Sequence, residues 1–271
     1  MAGLLQRLLA YPLTKGLDVD DPRTTLLRRE VIRRKSFLNC IYREWYARLA
    51  NSMRPNARFL ELGSGAGFFR EFASNLITSE LFATPGVDRV IDAHQLPFSD
   101  GELEGIAMTD VLHHIPDVAR FFKEATRCVN EGGQVLMIEP WNTKWSRWVY
   151  QRLHSEPFQP EGGWTIPSTG PLSGANGALP WILFERDRER FQETFPEWRI
   201  ESIEPLMPFS YLLSGGVSLR ALAPGWTYRP IRWLESKLDQ KRWAMFALIK
   251  LKKRERSKQS FALAGVEIYS R

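Results

Sequence analysis

The stretch FLELGSGAGFF, residues 59–69, is the most informative part of this 271-residue sequence. A short apolar run leads directly into three glycines at alternate positions, Gly63, Gly65 and Gly67. This order is typical of a buried strand followed by a glycine loop. Such a loop turns backbone N–H groups towards a ligand at the carboxyl end of the strand. The stretch therefore predicts a nucleotide-like binding site on an open α/β sheet.

Two neighbouring residues narrow the choice of ligand. Position 68 is Phe, where the dinucleotide fingerprint G-x-G-x-x-G requires its third glycine. Glu61 stands two residues before the loop, where its charge disfavours an anionic pyrophosphate and suits a cationic group. Both features favour a cationic nucleoside over a dinucleotide. A nicotinamide-dependent oxidoreductase is kept as an alternative.

Short apolar runs alternate with helical patterns along the rest of the chain, which predicts parallel strands joined by crossovers. Seven strands are expected, including ARFLEL itself; the others are LITSE (76–80), RVIDA (89–93), LEGIAMTD (103–110), GQVLMIEP (133–140), EWRIESIEPL (197–206) and SFALAGVEIY (260–269). Helices are expected over FFREFASNL (68–76) and DVARFFKEATRCV (117–129). The fold class is thus α/β, with a Rossmann-like, mostly parallel sheet covered by helices on both faces.

Composition changes along the chain divide it into four segments. We expect an N-terminal helical segment (1–56), a ligand-binding core (57–140), a loop-rich lid or substrate insertion (141–195) and C-terminal strands of the same domain (196–271) with a basic helical insertion (229–258). The insertion after residue 140 is rich in Trp, Gly and Pro. It is too long for a passive connection. Its aromatic residues either wall an acceptor or form a subdomain core.

Four ordered motifs resemble class I S-adenosylmethionine-dependent methyltransferases of the methyltransferase type 11 branch. They are FLELGSGAGFF (59–69), DAHQLPFSDGELEGI (92–106), TDVLHHIPD (109–117) and NEGGQVLMIEP (130–140). The resemblance implies S-adenosylmethionine as the cofactor and methyl transfer to a small-molecule or lipid-linked acceptor. A non-catalytic protein that keeps the fold as a binding module is a second alternative.

The resemblance also implies a role for individual residues. Glu61 would face the amino group of the methionine moiety, Glu80 the ribose hydroxyls, and Asp92 with Ala93 the adenine. Asp110 or Thr109 would lie where cofactor and acceptor meet. The loop beneath the cofactor would consist of Gly63, Ser64, Gly65, Ala66 and Gly67. Only eight residues separate Glu80 from the next strand, too few for a helical crossover.

Three residues are candidates for the chemistry. His113 and His114 follow the fourth strand and could deprotonate a hydroxyl acceptor, or else pack in the turn and cap the next helix. Glu139 ends the fifth strand and either orients a substrate group or makes a loop contact. His154 and Glu156 are weaker candidates in an expected loop. The sequence contains no HExxH or CxxC motif and predicts no metal site.

The net charge of +6 and the pI of about 9.4 arise from two segments. Residues 229–258 carry a net +8 and residues 23–35 a net +5, so the remaining residues sum to −7. The basic segment 229–258 either contacts an anionic membrane surface or is a solvated helix docked on the sheet. Nucleic acid is disfavoured because no recognition motif accompanies the charge. We expect a cytoplasmic protein. If residues 229–258 contact a membrane surface, the protein would also be peripheral to that membrane. The sequence leaves the oligomeric state open.

Overall fold

A computed structural model of the chain describes residues 11–13, 22–65, 67–154, 156–167, 170 and 174–255. Seven strands form one sheet: β1 Phe59–Leu62, β2 Leu76–Glu80, β3 Arg89–Val90, β4 Leu103–Thr109, β5 Val129–Pro140, β6 Trp198–Leu206 and β7 Phe246–Lys253. Their spatial order is β3-β2-β1-β4-β5-β7-β6. All pairs from β3 to β5 are parallel, whereas β7 runs antiparallel to both β5 and β6. The predicted seven-stranded, mostly parallel sheet is confirmed.

Helices pack around this sheet. They are α1 Pro22–Arg34, α2 Ser36–Ser52, α3 Val118–Cys128, α4 Lys144–Leu153, α5 Leu179–Trp181 with a π-helical continuation Ile182–Arg186, α6 Arg188–Thr194, α7 Ser210–Ser214, α8 Tyr228–Glu235 and α9 Gln240–Trp243. Single 3₁₀ turns occur at Phe69–Glu71, Leu112–His114 and Gly225–Thr227. Among the described residues, no helix combines the length and the apolar character needed to cross a bilayer.

Helix α3 illustrates how the sequence pattern becomes packing. The Asp117 side chain caps it by accepting a hydrogen bond from the Arg120 amide at 3.0 Å. Phe121 and Phe122 are fully buried on the face that the spacing predicts. Phe122 meets the rings of Phe184, Phe191 and Phe195, which belong to the segment 141–195. These contacts join that segment to the sheet in a single hydrophobic core.

Two expected helices are wrong. Residues 68–75 contain only the 3₁₀ turn Phe69–Glu71, because the Phe68 backbone (φ −143°, ψ 33°) is not helical and the rings of Phe68 and Phe69 both pack against Tyr46 of α2. The basic segment 229–258 is not one helical insertion. It contains α8 and α9 and then β7, whose apolar residues are buried between β5 and β6.

One strand is shorter than expected, and another expected strand falls outside the described residues. The run RVIDA is a strand only at Arg89–Val90, at the edge of the sheet. The expected strand at 260–269 lies outside the described residues, and β7 takes the place between β5 and β6. Residues 81–88 connect β2 to β3 without a helix, as their small number requires.

Candidate functional site

The glycine loop leaves β1 at the carboxyl edge of the sheet. Gly63 has a φ of +68°, which favours glycine, and a Cβ atom at this position would collide with Val111. A Cβ atom at Gly67 would collide with the hydroxyl of Tyr46. The missing side chains therefore let β1, the turn after β4, and α2 approach one another. The glycines are therefore required by the packing of these elements at the carboxyl edge of the sheet, where open α/β sheets bind ligands.

Helix α1 covers the middle of the loop. The Arg29 guanidinium donates hydrogen bonds to the carbonyl oxygens of Gly65 at 2.6 Å and of Pro85 at 3.1 Å. The Gly65 amide donates to Glu80 Oε2 at 3.0 Å, and a Cβ atom at Gly65 would collide with Thr25 of α1. Neither Thr25 nor Arg29 was singled out from the sequence. The only available signal was the basic character of residues 23–35.

Glu61 is a buried carboxylate beneath the loop, with 3% of its surface exposed. Its backbone oxygen accepts hydrogen bonds from the hydroxyls of Ser79 at 2.8 Å and Ser64 at 3.3 Å, which tie β1 to β2. Burial raises the pKa of the Glu61 carboxyl to about 7, and the nearby Glu80 adds to this rise. A cationic ligand beside Glu61 would supply the missing countercharge.

These features fit S-adenosylmethionine. A glycine loop at the carboxyl edge of the sheet, the buried carboxyl of Glu61 and Glu80 at the end of β2 match the ammonium and ribose groups of that cofactor. Asp92 follows β3; its carboxylate accepts a hydrogen bond from the His94 amide at 2.8 Å, and its side chain is half exposed. Ala93 packs against the core beside it. Ala66 lies outside the described residues.

A second group of polar residues surrounds the carboxyl ends of β4 and β5. Glu139 is fully buried, and its Oε1 accepts hydrogen bonds from the amides of Val111 and Leu112, both at 2.8 Å. Its Oε2 lies 2.7 Å from His113 Nδ1. The loop contact that was one of two interpretations of Glu139 is present. Glu139 thereby fixes both the turn after β4 and the orientation of His113.

His113 joins two carboxylates. Its Nε2 lies 3.6 Å from Glu156 Oε2, within ion-pair range but without a hydrogen bond. Although burial alone would lower it, the pKa of His113 is held well above its usual value by Glu139 and Glu156. The pKa of Glu156 is correspondingly lowered, mainly by His113. Burial, with the nearby His113, lowers the pKa of His114 to about 3, which keeps that ring neutral.

Asp110 stands between this group and the glycine loop. It follows β4 in the left-handed region, with φ +62°, a conformation that Asp tolerates better than most residues. Burial raises the pKa of its carboxyl to about 7, Glu156 and Glu139 raise it further, and His113 opposes them. Asp110 is thus a carboxylate poised to exchange a proton near neutral pH.

A narrow cavity opens beside Asp110. About 10 Å³ of it is free, which is room for one water molecule. Its polar lining comes from Asp110, His154 and Glu156, and its walls include Tyr150, Phe158, Tyr211 and Phe246. His113, His114 and Glu139 do not line it. The structure therefore brings the two weaker sequence candidates, His154 and Glu156, to the cavity, together with Tyr150 and Tyr211, which sequence analysis missed.

A larger surface cavity of about 780 Å³ lies elsewhere, between the loop after β3 and helix α3. Asp92 and His94 are on its wall, opposite Arg120 and Lys123. It contains no residue of the glycine loop and none of the carboxylates near β4 and β5. The larger volume of this cavity is therefore not a reason to place the reaction there.

The buried histidines and carboxylates could also hold a cation. Ligand atoms of His113, His114 and Glu156 lie within 4.8 Å of one another, as do those of Asp110, His113 and Glu139. The sequence offered no metal-binding motif, and the absence of a metal stays a prediction.

A raised carboxyl pKa makes stability depend on pH in a defined direction. The folded protein favours protonated Glu61, so this contribution is fully present below the unfolded pKa of about 4.5 and is lost as pH rises through about 7. We expect Glu61→Gln to gain stability relative to the parent protein as pH rises over this range. Urea unfolding of both proteins at several pH values measures the difference. A difference that is the same at every pH contradicts the assignment.

Residues 34–197 match the model of a family described as a methyltransferase domain. Over 106 residues the chain is 28% identical to a demethylmenaquinone methyltransferase of Bacillus cytotoxicus, covering 37% of this chain and 41% of that protein. Over 104 residues it is 30% identical to a 2-methyl-6-phytyl-1,4-hydroquinone methyltransferase of Synechocystis, covering 38% and 31%. The chain thus matches less than half the length of these relatives.

One solved structure gives a fold comparison over most of the chain. It is a geranyl diphosphate C-methyltransferase of Streptomyces coelicolor in complex with Mg²⁺, geranyl diphosphate and S-adenosyl-L-homocysteine. The match has 13% identity and a TM-score of 0.51, and it covers 90% of this chain and 89% of that one. At this identity the likeness concerns the fold.

Proposed function

Since this chain belongs to the methyltransferase-domain family, we propose that it transfers a methyl group from S-adenosylmethionine to a hydroxylated, ring-bearing small molecule. The observation that carries the acceptor class is the lining of the cavity beside Asp110, which must widen from its present room for one water molecule to admit an acceptor. It combines a carboxylate of raised pKa with the aromatic walls Tyr150, Phe158 and Phe246. Phenols and hydroquinones present one hydroxyl and one flat ring, which suit these two kinds of contact.

The cofactor would be held by residues from three strands. Glu61 would pair with the ammonium group, the loop from Gly63 to Gly67 would support the body of the cofactor, and Glu80 would accept hydrogen bonds from the ribose. Asp92 would meet the adenine. When bound, the cofactor supplies an activated methyl group on a sulfonium centre, so the protein mainly orients the reactants.

Asp110 is the proposed general base. Its carboxylate would accept the proton of the acceptor hydroxyl, which increases the electron density on the ring and its oxygen. His113 is a positioning residue, because it is fully buried and acts through Glu139 and Glu156. Asp110 therefore takes the catalytic role for which the sequence offered His113, His114 and Glu139 as candidates.

Both curated relatives support the ring-bearing acceptor. Their names describe methyl transfer to a quinone and to a hydroquinone that carries a long isoprenoid chain. We extend that chemical class to this chain as a proposal. The nicotinamide-dependent alternative is disfavoured because a dinucleotide would bring its pyrophosphate close to the buried Glu61. The non-catalytic alternative is also disfavoured, because the chain keeps the glycine loop, Glu61 and Glu80 that the cofactor would contact.

Two measurements test the two parts of this proposal. Calorimetry with S-adenosylhomocysteine should show saturable binding, and its absence at millimolar ligand removes the cofactor assignment. Turnover of S-adenosylmethionine should then be measured with prenylated hydroquinones, simple phenols, fatty alcohols and carboxylic acids. Methyl transfer should be confined to the phenols and hydroquinones. Binding of the cofactor with transfer only to the aliphatic acceptors overturns the acceptor class.

A further inference from the structure

Several large apolar side chains project from one region of the surface. Trp233 and Leu234, near the end of α8, are 62% and 58% exposed. Trp243, at the end of α9, is 38% exposed, and Trp148 of α4 is 45% exposed. We call these four residues the tryptophan surface. Exposing so much apolar area costs free energy in water and marks a contact surface.

The four residues are connected through the protein beneath them. Glu235, next to Leu234, accepts a hydrogen bond from the Phe209 amide at 2.6 Å. The Phe209 ring contacts Trp243 at 5.9 Å and Trp145 at 5.2 Å between centroids. Trp145 in turn stacks on Trp148 at 5.7 Å. Half-buried aromatic rings thus link Trp148 with Trp243, and Glu235 ties the end of α8 to the same support.

The chain segments that carry the tryptophan surface also carry exposed positive charge, with Arg152 over the Trp148 ring and Lys237 over the Trp233 ring. The exposed cations of α4 and of residues 226–243 are Lys144, Arg152, Arg229, Lys237, Lys241 and Arg242. The two segments contain only two carboxylates, Glu235 and Asp239. Glu235 is buried and paired with Arg232, so Asp239 is the one exposed acid there. A partner of negative charge is favoured.

We propose that the tryptophan surface docks on an anionic lipid bilayer. Tryptophan rings place an apolar body and a polar N–H group at the boundary between lipid tails and headgroups. Lysine and arginine beside them attract anionic headgroups. Exposed indoles that share their segments with exposed cations match both requirements. The contact involves two short helices and α4, in place of the single basic helix that the sequence suggested.

Helix α4 gives this contact a position relative to the cavity. Trp148 and Arg152 face outwards, with the Arg152 guanidinium over the Trp148 ring, whereas Tyr150 points inwards and lines the cavity beside Asp110. The two sides of one helix thus face the proposed bilayer and the proposed acceptor site. The docking itself does not depend on the methyl-transfer proposal.

Sedimentation with vesicles tests the docking. The full chain should bind vesicles of phosphatidylcholine with phosphatidylglycerol, bind less to phosphatidylcholine alone, and lose binding as NaCl is raised. The double variant Trp233→Ser/Leu234→Ser and the double variant Lys241→Glu/Arg242→Glu should each bind at least about tenfold more weakly.

A matched control separates docking from general stickiness. Leu81 and Val90 are also exposed, at the other edge of the sheet, and Leu81→Ser/Val90→Ser should bind vesicles as the parent does. All variants should keep their circular dichroism and their affinity for S-adenosylhomocysteine. Failure of the parent to bind anionic vesicles, or equal binding by the tryptophan-surface variants, overturns the proposal. The first of these results would direct attention to a protein partner.

Discussion

Gly65→Arg is expected to remove measurable binding of S-adenosylhomocysteine while the protein stays folded. A Cβ atom at Gly65 already collides with Thr25 and crowds the Glu80 carboxylate, and the longer side chain would enter the space beneath the loop. It would also set a second guanidinium beside Arg29 and near the place proposed for the ligand's cationic group. We expect affinity to fall by about 100-fold or more, or about 2.8 kcal/mol. Isothermal titration calorimetry measures this directly.

The chain provides a glycine for comparison. A Cβ atom at Gly163 would have no heavy atom within 4 Å, so Gly163→Ala should bind the ligand as the parent does. Circular dichroism and the thermal midpoint establish that both variants are folded. Unchanged affinity in folded Gly65→Arg would mean that the ligand does not bind at this loop.

Asp110→Asn is expected to lower kcat by about 10²- to 10⁴-fold, the usual contribution of a general base. Asparagine has nearly the same shape and tolerates the left-handed backbone at this position. The binding of S-adenosylhomocysteine should change little, since the proposed contacts of Asp110 are with the acceptor hydroxyl. The measurement is turnover with whichever phenol or hydroquinone the parent methylates.

The pH profile distinguishes a base from a structural residue. In the parent, kcat should rise as pH passes through about 7, where the Asp110 carboxyl ionises. That rise should be absent from the residual activity of Asp110→Asn. Asp100→Asn changes an exposed carboxylate paired with Arg127 and should leave the profile as it is in the parent. A parental profile in Asp110→Asn, or an unchanged kcat, contradicts the assignment.

Sequence reasoning succeeded where local pattern and tertiary role coincide. The glycine loop follows β1 because no side chain fits at Gly63 or Gly67, and that requirement is visible in the sequence. Helix α3 was predictable because its apolar spacing matches the side it buries. Glu139 was found because it ends an apolar run at the edge of a parallel sheet.

The remaining features depend on contacts between distant segments. Arg29 reaches Gly65 across 36 positions, and no short-range pattern reports such a pair. The apolar residues at 246–253 fit a buried strand as well as a helix. They form a strand because they lie between β5 and β6 and pair with both. Tyr150 resembled an ordinary core residue of α4 until the fold brought it beside Asp110.

The position of β7 has a consequence for biosynthesis. This strand is the last of the seven to leave the ribosome, yet it lies inside the sheet and pairs with both β5 and β6. Until residue 253 has been synthesised, β5 presents an open edge and β6 has no partner. Open edges recruit other strands. The nascent chain therefore passes through a stage prone to aggregation, in which a chaperone would shorten the exposure and a stalled ribosome would prolong it.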